Sequence, residues 1–502
     1  MDLESIPPEL LNAEPLPIVA TIRRLAESAP DHPALTCAGR TMSRAELEHR
    51  ANRLARAYQD RGVSEGDVVT IALPNGIEHF AATLAAWKLG AVPNPISPRL
   101  PLAERAAIVE LADPELVIGV DESDHPARQC LPVGYEPSVE TDSSALPSEP
   151  VSKSMAAMTS GGSTGRPKLI VNASPASVHP LLPRTMGMQE AGVVLAPSPH
   201  YHTAGFQFPW WALLLGSHVI VLPAFDAVEV LESIPRYQVD WVNLVPTMMA
   251  RMLRAIEASP GRFDLSSLSM VVHGAAPCPP QLKERWIELV GPDHLTEVYA
   301  ATEGWFGTMI TGGEWLEHRG SVGKPMNDIK ILGPDGTELA NGEVGEICAA
   351  LPPGMVTSRY VGAEARTFGD RLSVGDLGWL DDDNYLYISD RRVDMIISGG
   401  ANVFPAEVEA AILEHPQVLS AIVVGLPDED LGQQVHAVVE AEGDLQGEEL
   451  LDFLSSRLVR YKVPRSVRFV DGPLRDDAGK ARRSAIRDRE IELLMPSSRA
   501  DD

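Results

Sequence analysis

The residues in this sequence best suited to chemistry lie in one short run, Thr159-Ser160-Gly161-Gly162-Ser163-Thr164-Gly165-Arg166-Pro167-Lys168. Its glycines let the backbone fold tightly and aim N–H groups inward, its hydroxyls add donors, and Lys168 supplies a cation, a set that suits a polyphosphate. A plain flexible turn is the bland alternative, disfavoured by ten such residues ending in Pro-Lys. A Walker A loop needs Gly-Lys-[Ser/Thr] at its end, and here Arg166-Pro167 separates Gly165 from Lys168, so that reading fails. The elbow pattern G-x-S-x-G is matched by Gly161 to Gly165, with His273-Gly274-Ala275-Ala276 as an imaginable oxyanion loop. In that fold the oxyanion segment precedes the nucleophile, whereas here it follows. A serine hydrolase using Ser163 is therefore the alternative from another class.

Further residues attract notice but read blandly one at a time. Thr302 and Glu303 suit the first turn of a helix, Asp376 after Gly375 suits a turn, and Arg391 suits a surface ion pair. Gly274-Ala275-Ala276-Pro277 is small and flat, as a slot for a planar ring would be, and Tyr299 could stack on such a ring. Gly479-Lys480 alone reads as solvated.

The elements that must position these residues alternate along the chain. The spacing of Leu47, Ala51, Leu54, Ala55 and Tyr58 predicts a helix over 46–59, followed by a strand over 68–73 and a helix over 78–89. Strand patterns recur at Val193–Leu195, Val219–Leu222, Val242–Val245 and Met270–Val272, which argues for layered α/β architecture with largely buried sheets. The stretch 121–150 is rich in Pro, Ser and acid and reads as a connector to a strand over 154–158. From about Asp394 the pattern changes to a helix over 406–414, strands over 419–425 and 435–440, a helix over 448–459 and a strand over 466–470. The fold class is thus α/β, a large N-terminal domain of layered α/β subdomains plus a small α+β C-terminal domain.

Composition narrows the partners. The 502 residues carry 42 Lys and Arg against 70 Asp and Glu, a net charge of −28 that repels phosphate backbones and anionic lipid, so neither nucleic acid nor membrane is expected. The four cysteines, at 37, 130, 278 and 348, are far apart and form neither a zinc pattern nor a disulfide framework. With no signal-peptide pattern and no apolar run of spanning length, the expected location is the cytoplasm.

Taken together, the motifs resemble those of the adenylate-forming superfamily, which contains acyl-CoA synthetases, luciferase and nonribosomal peptide adenylation domains. The run 159–168 is similar to its first signature, one residue longer than usual. His202 within Pro199-His200-Tyr201-His202, Gly274 to Pro277, Tyr299-Ala300-Ala301-Thr302-Glu303, Val374-Gly375-Asp376, Asp390-Arg391, Ser398-Gly399-Gly400 and Gly479-Lys480 recur in the family's order.

The resemblance implies an acyl-CoA ligase that uses ATP, Mg²⁺ and coenzyme A. Glu303 would ligate the metal and Thr302 would lie near the α-phosphate. Asp376 and Arg391 would hold the ribose, Gly274, Ala275, Ala276 and Pro277 with Tyr299 and Ala300 would form the adenine slot, and His202 would be a catalytic residue just ahead of the acid pocket. Lys480 would serve adenylation, and Ser398-Gly399-Gly400 the thiol step, after rotation of a mobile C-terminal domain. The division falls between 1–391 and 392–502, and the usual Asp or Lys of the hinge is Val393 here. The acid pocket would be lined by Ala204, Gly205, Phe206, Phe208, Trp210, Val245, His273 and Trp305, which implies a bulky hydrophobic carboxylic acid. A stand-alone adenylation enzyme with another acceptor is a second alternative, and a homodimer is compatible with all of this. Two departures from the family pattern, Ala300 for Gly and Asp476-Asp477 ahead of Lys480, suggest that adenylation is the slower half-reaction, the carboxylates keeping Lys480 protonated while weakening its field.

Overall fold

Alternating strand and helix patterns fold, in the computed structural model, into a large lobe joined to a small one. The structure describes residues 13–161, 167–301, 306–350, 358–362, 364–428, 430–476 and 479–494. At the centre of the large lobe, Pro33–Cys37, His218–Val221, Val193–Ala196, Trp241–Leu244, Met270–Gly274 and Leu295–Ala300 lie side by side, all parallel. Apart from the half-buried Val193 and Val298, their valines, leucines and isoleucines are buried on both faces, as a parallel sheet covered by helices requires. Beyond Leu295–Ala300 the same sheet continues antiparallel through Gly307–Thr311, Ser321–Pro325, Leu386–Arg391, Arg371–Leu380, Gly345–Ala350 and Ile329–Leu332. A separate parallel sheet contains Val92–Pro95, Val68–Ile71, Leu116–Ile118 and Gln129–Leu131.

The first predicted helix spans Arg44–Gln59, started by a capping box in which Ser43 and Glu46 satisfy each other's backbone N–H groups. Its expected apolar face is buried as read. The next helix, Ile77–Lys88, carries Lys88 fully buried, its ammonium 2.7 Å from both Glu48 and Glu149. The expected strand over 154–158 sits further on, at Ala157–Gly161; before it, the Ser152 and Ser154 hydroxyls bond locally while the backbone of 152–156 bonds irregularly to 172–176.

The small lobe follows the predicted order closely. Pro405–Leu413 and Gly447–Ser455 are helical, and Val418–Asp428, Gly432–Ala441 and Ser466–Val470 join Ile396–Ser398 and Ala401–Val403 in one sheet. The last strand of the large lobe ends at Arg391 and the first of the small lobe begins at Ile396. Among the described residues no helix is long and apolar enough to cross a membrane.

Candidate active site

The carboxyl ends of the central parallel strands open onto the junction of the two lobes, the usual place for a ligand in such a sheet. Of the run 159–168, the flanking strands Ala157–Gly161 and Pro167–Val171 pair antiparallel there, with the Lys168 ammonium 4.8 Å from the ring centre of Tyr360. Gly162, Ser163, Thr164 and Gly165 lie outside the described residues, as do Thr302, Glu303 and Trp305.

Gly274 ends its strand where a Cβ would fall 2.1 Å from the Val298 carbonyl oxygen, so only glycine lets the two strands approach there. Ala275 follows at φ +65°, a left-handed turn that a non-glycine residue adopts at some cost and that turns the chain into Ala276-Pro277. Across from this slot, Tyr299 donates from its hydroxyl to Asp376 Oδ2 at 2.6 Å and meets Phe306 edge to face at 5.5 Å. Asp376 and Arg391 are direct register partners on adjacent strands, with Arg391 Nε 3.7 Å from Asp376 Oδ1. An acceptor carboxylate and a donor guanidinium beside a flat slot of small residues fit the vicinal hydroxyls and phosphates of a nucleotide. Sequence reasoning missed the Tyr299–Asp376 bond, which depends on strands 77 residues apart coming together.

His202 sits just before the helix Thr203–Leu214, which approaches closely because Gly205 has no Cβ to strike the Pro199 carbonyl, 2.2 Å away. Burial and the nearby Lys480 ammonium push His202 down to about 3, so its imidazole is neutral at physiological pH. The small lobe delivers Lys480 to this place on a tight turn. Gly479 donates its N–H to the Asp476 carbonyl, and Lys480 donates its own to Asp476 Oδ1 at 2.8 Å. A Cβ on Gly479 would fall 2.8 Å from Thr247 Oγ1 and 3.3 Å from Val245, which shows how closely the turn seats on the large lobe. Asp476 Oδ2 stands 3.9 Å from His202 Nε2 across the lobe boundary.

The expectation that carboxylates raise the protonation of Lys480 needs correcting. Asp476 does pull upward, but burial in the cleft, aided by the Arg391 charge, outweighs it and holds Lys480 below the usual lysine range. Asp477 lies outside the described residues.

Of the expected acid-binding residues, Ala204, Gly205 and Phe208 line a narrow cleft with Pro197, Ser198, Trp241 and Asn243. Phe206 and Trp210 do not. Both are buried against Trp87, with ring centres 5.8 and 4.7 Å from it, because they lie on the helix face that packs into the core. His273 is also turned away: strand alternation sends it to the opposite face from Val272, where it is the register partner of Glu297. Burial holds it down to about 4, beside the buried Lys283–Glu297 ion pair at 2.6 Å. Val245 packs into the core on that same side of the sheet and touches the Gly479 turn.

The Ser398-Gly399-Gly400 turn is not at the cleft. It joins two strands of the small lobe's sheet, with both glycines at positive φ and Gly399 donating to the Leu431 carbonyl at 2.9 Å. Val393, between the lobes, is exposed. No cluster of three or more metal-ligating side chains occurs among the described residues.

Comparison with known proteins accords with this geometry. The AMP-binding enzyme family matches residues 22–361, and the AMP-binding enzyme C-terminal domain matches residues 407–480. A 2-succinylbenzoate–CoA ligase of Bacillus licheniformis is 32% identical over 492 residues, covering 93% of this chain and 98% of that protein. A feruloyl-CoA synthase of an Amycolatopsis species is 33% identical over 489 residues, covering 93% and 97%. Among solved structures, the o-succinylbenzoate CoA synthetase of Bacillus subtilis in complex with its acyl-adenylate intermediate aligns with a TM-score of 0.79 at 26% identity, over 97% of this chain and 99% of that one.

Proposed function

This chain belongs to the AMP-binding enzyme family as an ATP-dependent, AMP-forming acid–thiol ligase, and we propose that the acid it activates is bulky and hydrophobic. The reaction uses ATP, Mg²⁺ and coenzyme A. The acid's carboxylate attacks the α-phosphorus of ATP, the bond to the β-phosphate oxygen breaks and pyrophosphate leaves; a thiol then attacks the acyl carbon and AMP departs. The observation that carries our assignment of residues is the seating of the Gly479-Lys480 turn against Thr247 and Val245, with Lys480 beside His202 and within the field of Arg391.

On this reading Lys480 offsets charge between carboxylate and α-phosphate, which electrostatic stabilisation of the transition state requires. Neutral His202 packs beside the acid without adding a second cation. Asp376 and Arg391 hold the ribose, and the run 159–168 holds the outer phosphates. Bound Mg²⁺ supplies Lewis-acid charge, and Glu303 is the carboxylate we assign to it. The division of labour places nucleotide and acid binding in residues 1–391 and the moving lysine and the Ser398-Gly399-Gly400 turn in 392–502.

Ala204, Gly205, Phe208 and Trp241 surround an apolar gap of about 10 Å³, so the substrate class rests on the apolar character of these side chains and not on the size of the gap; the polar side chains there among the described residues are Ser198 and Asn243. Four free thiols fit a cytoplasmic setting. The comparisons give a hydrolase at Ser163 no support. The test is acid-dependent ATP–pyrophosphate exchange across aryl, fatty, steroidal and amino acids, followed by thioester formation with coenzyme A. Exchange restricted to small or polar acids would refute the substrate class. We propose further that adenylation is the slower half-reaction, on the ground of Ala300 where the family pattern has glycine, so exchange should run slower than reaction of synthetic acyl-adenylate with coenzyme A.

A further inference from the structure

We propose that Glu409 is the positioning residue of Lys480, one buried carboxylate that grips both ends of the segment carrying the lysine. Arg475, at the near end, donates from Nη2 to Glu409 Oε2 at 3.1 Å and to the Ala421 carbonyl at 3.2 Å. Its Nη1 reaches the carbonyl of Gly479, the residue just before Lys480, at 3.3 Å. Arg483, at the far end, donates from Nη1 to the other oxygen of the same carboxylate and to the Val423 carbonyl at 2.6 Å. Glu409 also accepts the Val423 N–H at 2.8 Å, and only 6% of the residue is exposed.

A carboxylate out of water is costly unless it is paired and fully hydrogen-bonded, and here two guanidiniums and a backbone N–H meet that demand. The arrangement ties Arg475, Gly479 and Arg483 to the strand Val418–Asp428, so that Lys480 stands between braced residues. Arg483 Nε is also 3.3 Å from Asp394 Oδ2, so the brace extends into the connection between the lobes. Without it, the segment keeps the apolar contacts of Leu474 and Ala481 with Ile422, Val424 and Leu426, the Arg482–Glu104 ion pair at 2.9 Å and the seating of Gly479 on Thr247. Misplacing a reacting group by about 1 Å can cost on the order of a hundredfold in rate. Glu409 touches no substrate, so its effect passes through Lys480.

The inference rests on the assignment of Lys480 to adenylation. Glu409→Gln keeps the shape and removes the charge, and Arg475→Lys keeps a charge but cannot span both Glu409 and the Gly479 carbonyl. Each should lower kcat for ATP–pyrophosphate exchange by about 10- to 100-fold with little change in KM for ATP. Thioester formation from supplied acyl-adenylate should stay within about twofold of the parent, because Lys480 is not needed there. Equal loss in both half-reactions, tracking loss of folded protein, would mean a merely structural role and overturn the proposal, as would unchanged exchange in both variants. Lys480→Met separates the two assignments. If it leaves exchange intact, the Lys480 reading fails; if it abolishes exchange while Glu409→Gln does not, only the brace fails.

Discussion

Tyr299 donates its phenolic hydrogen to Asp376 at 2.6 Å, tying the last parallel strand of the sheet to the antiparallel strand Arg371–Leu380. The bond fixes one carboxylate oxygen and leaves the other toward Arg391, 3.7 Å away. A hydrogen bond to a charged group contributes about 1.5–3 kcal/mol. Tyr299→Phe should therefore raise KM for ATP by roughly tenfold or more, with ring packing against Phe306 preserved, and Asp376→Ala should raise it further. Unchanged KM in steady-state exchange kinetics would detach both residues from the nucleotide.

The coupling of His202 to Lys480 has a spectroscopic signature. Burial is the main reason for the low pKa of His202, and the Lys480 charge adds to it. Removing that charge in Lys480→Met should move the His202 titration upward, part of the way toward the ordinary histidine value. Ring-proton NMR across pH 3–7 would detect the shift. No movement would mean that the small lobe does not seat Lys480 at His202 in solution.

Asp390 links the lobes, accepting the N–H of Ala406 in the first turn of the helix Pro405–Leu413 and the N–H of Arg391. Burial pushes its carboxyl up to about 6 despite those bonds. Because the folded value lies above the ordinary 3.8, the protonated form favours the fold, and this contribution is complete below about pH 4 and lost as pH rises through 6. Asp390→Asn removes the dependence. Relative to that variant, the parent should lose on the order of 1–3 kcal/mol between pH 4 and 7 in urea denaturation. Parallel curves would show that Asp390 ionises normally.

Lys283 and Glu297 form a buried ion pair at 2.6 Å, with Lys283 also 4.8 Å from the ring centre of Trp315. Lys283→Met strands the Glu297 carboxylate and should destabilise the protein by about 3–5 kcal/mol. Adding Glu297→Gln should recover much of that loss, since no buried charge is then left alone. A double variant as unstable as the single one would show that packing, not charge, sets the cost.

Local pattern and local chemistry carried much of this molecule. The helix expected over 46–59 is announced by its apolar spacing, the small lobe's elements by alternation, and the candidate phosphate loop by glycines and hydroxyls packed into ten residues. The same local logic could not assign faces. His273 sits between apolar residues and before a small-residue turn, so it reads as lining the slot, but register with Glu297 turns it to the far side of the sheet. Phe206 and Trp210 share a helix with Ala204 and Phe208, and only the position of Trp87 decides which of them pack inward. The protonation of Lys480 shows the reason most clearly. Its sequence neighbours are acidic, yet its state is set by burial and by Arg391, 89 residues earlier in the chain, because desolvation and Coulomb forces act through space and sequence records only adjacency along the backbone.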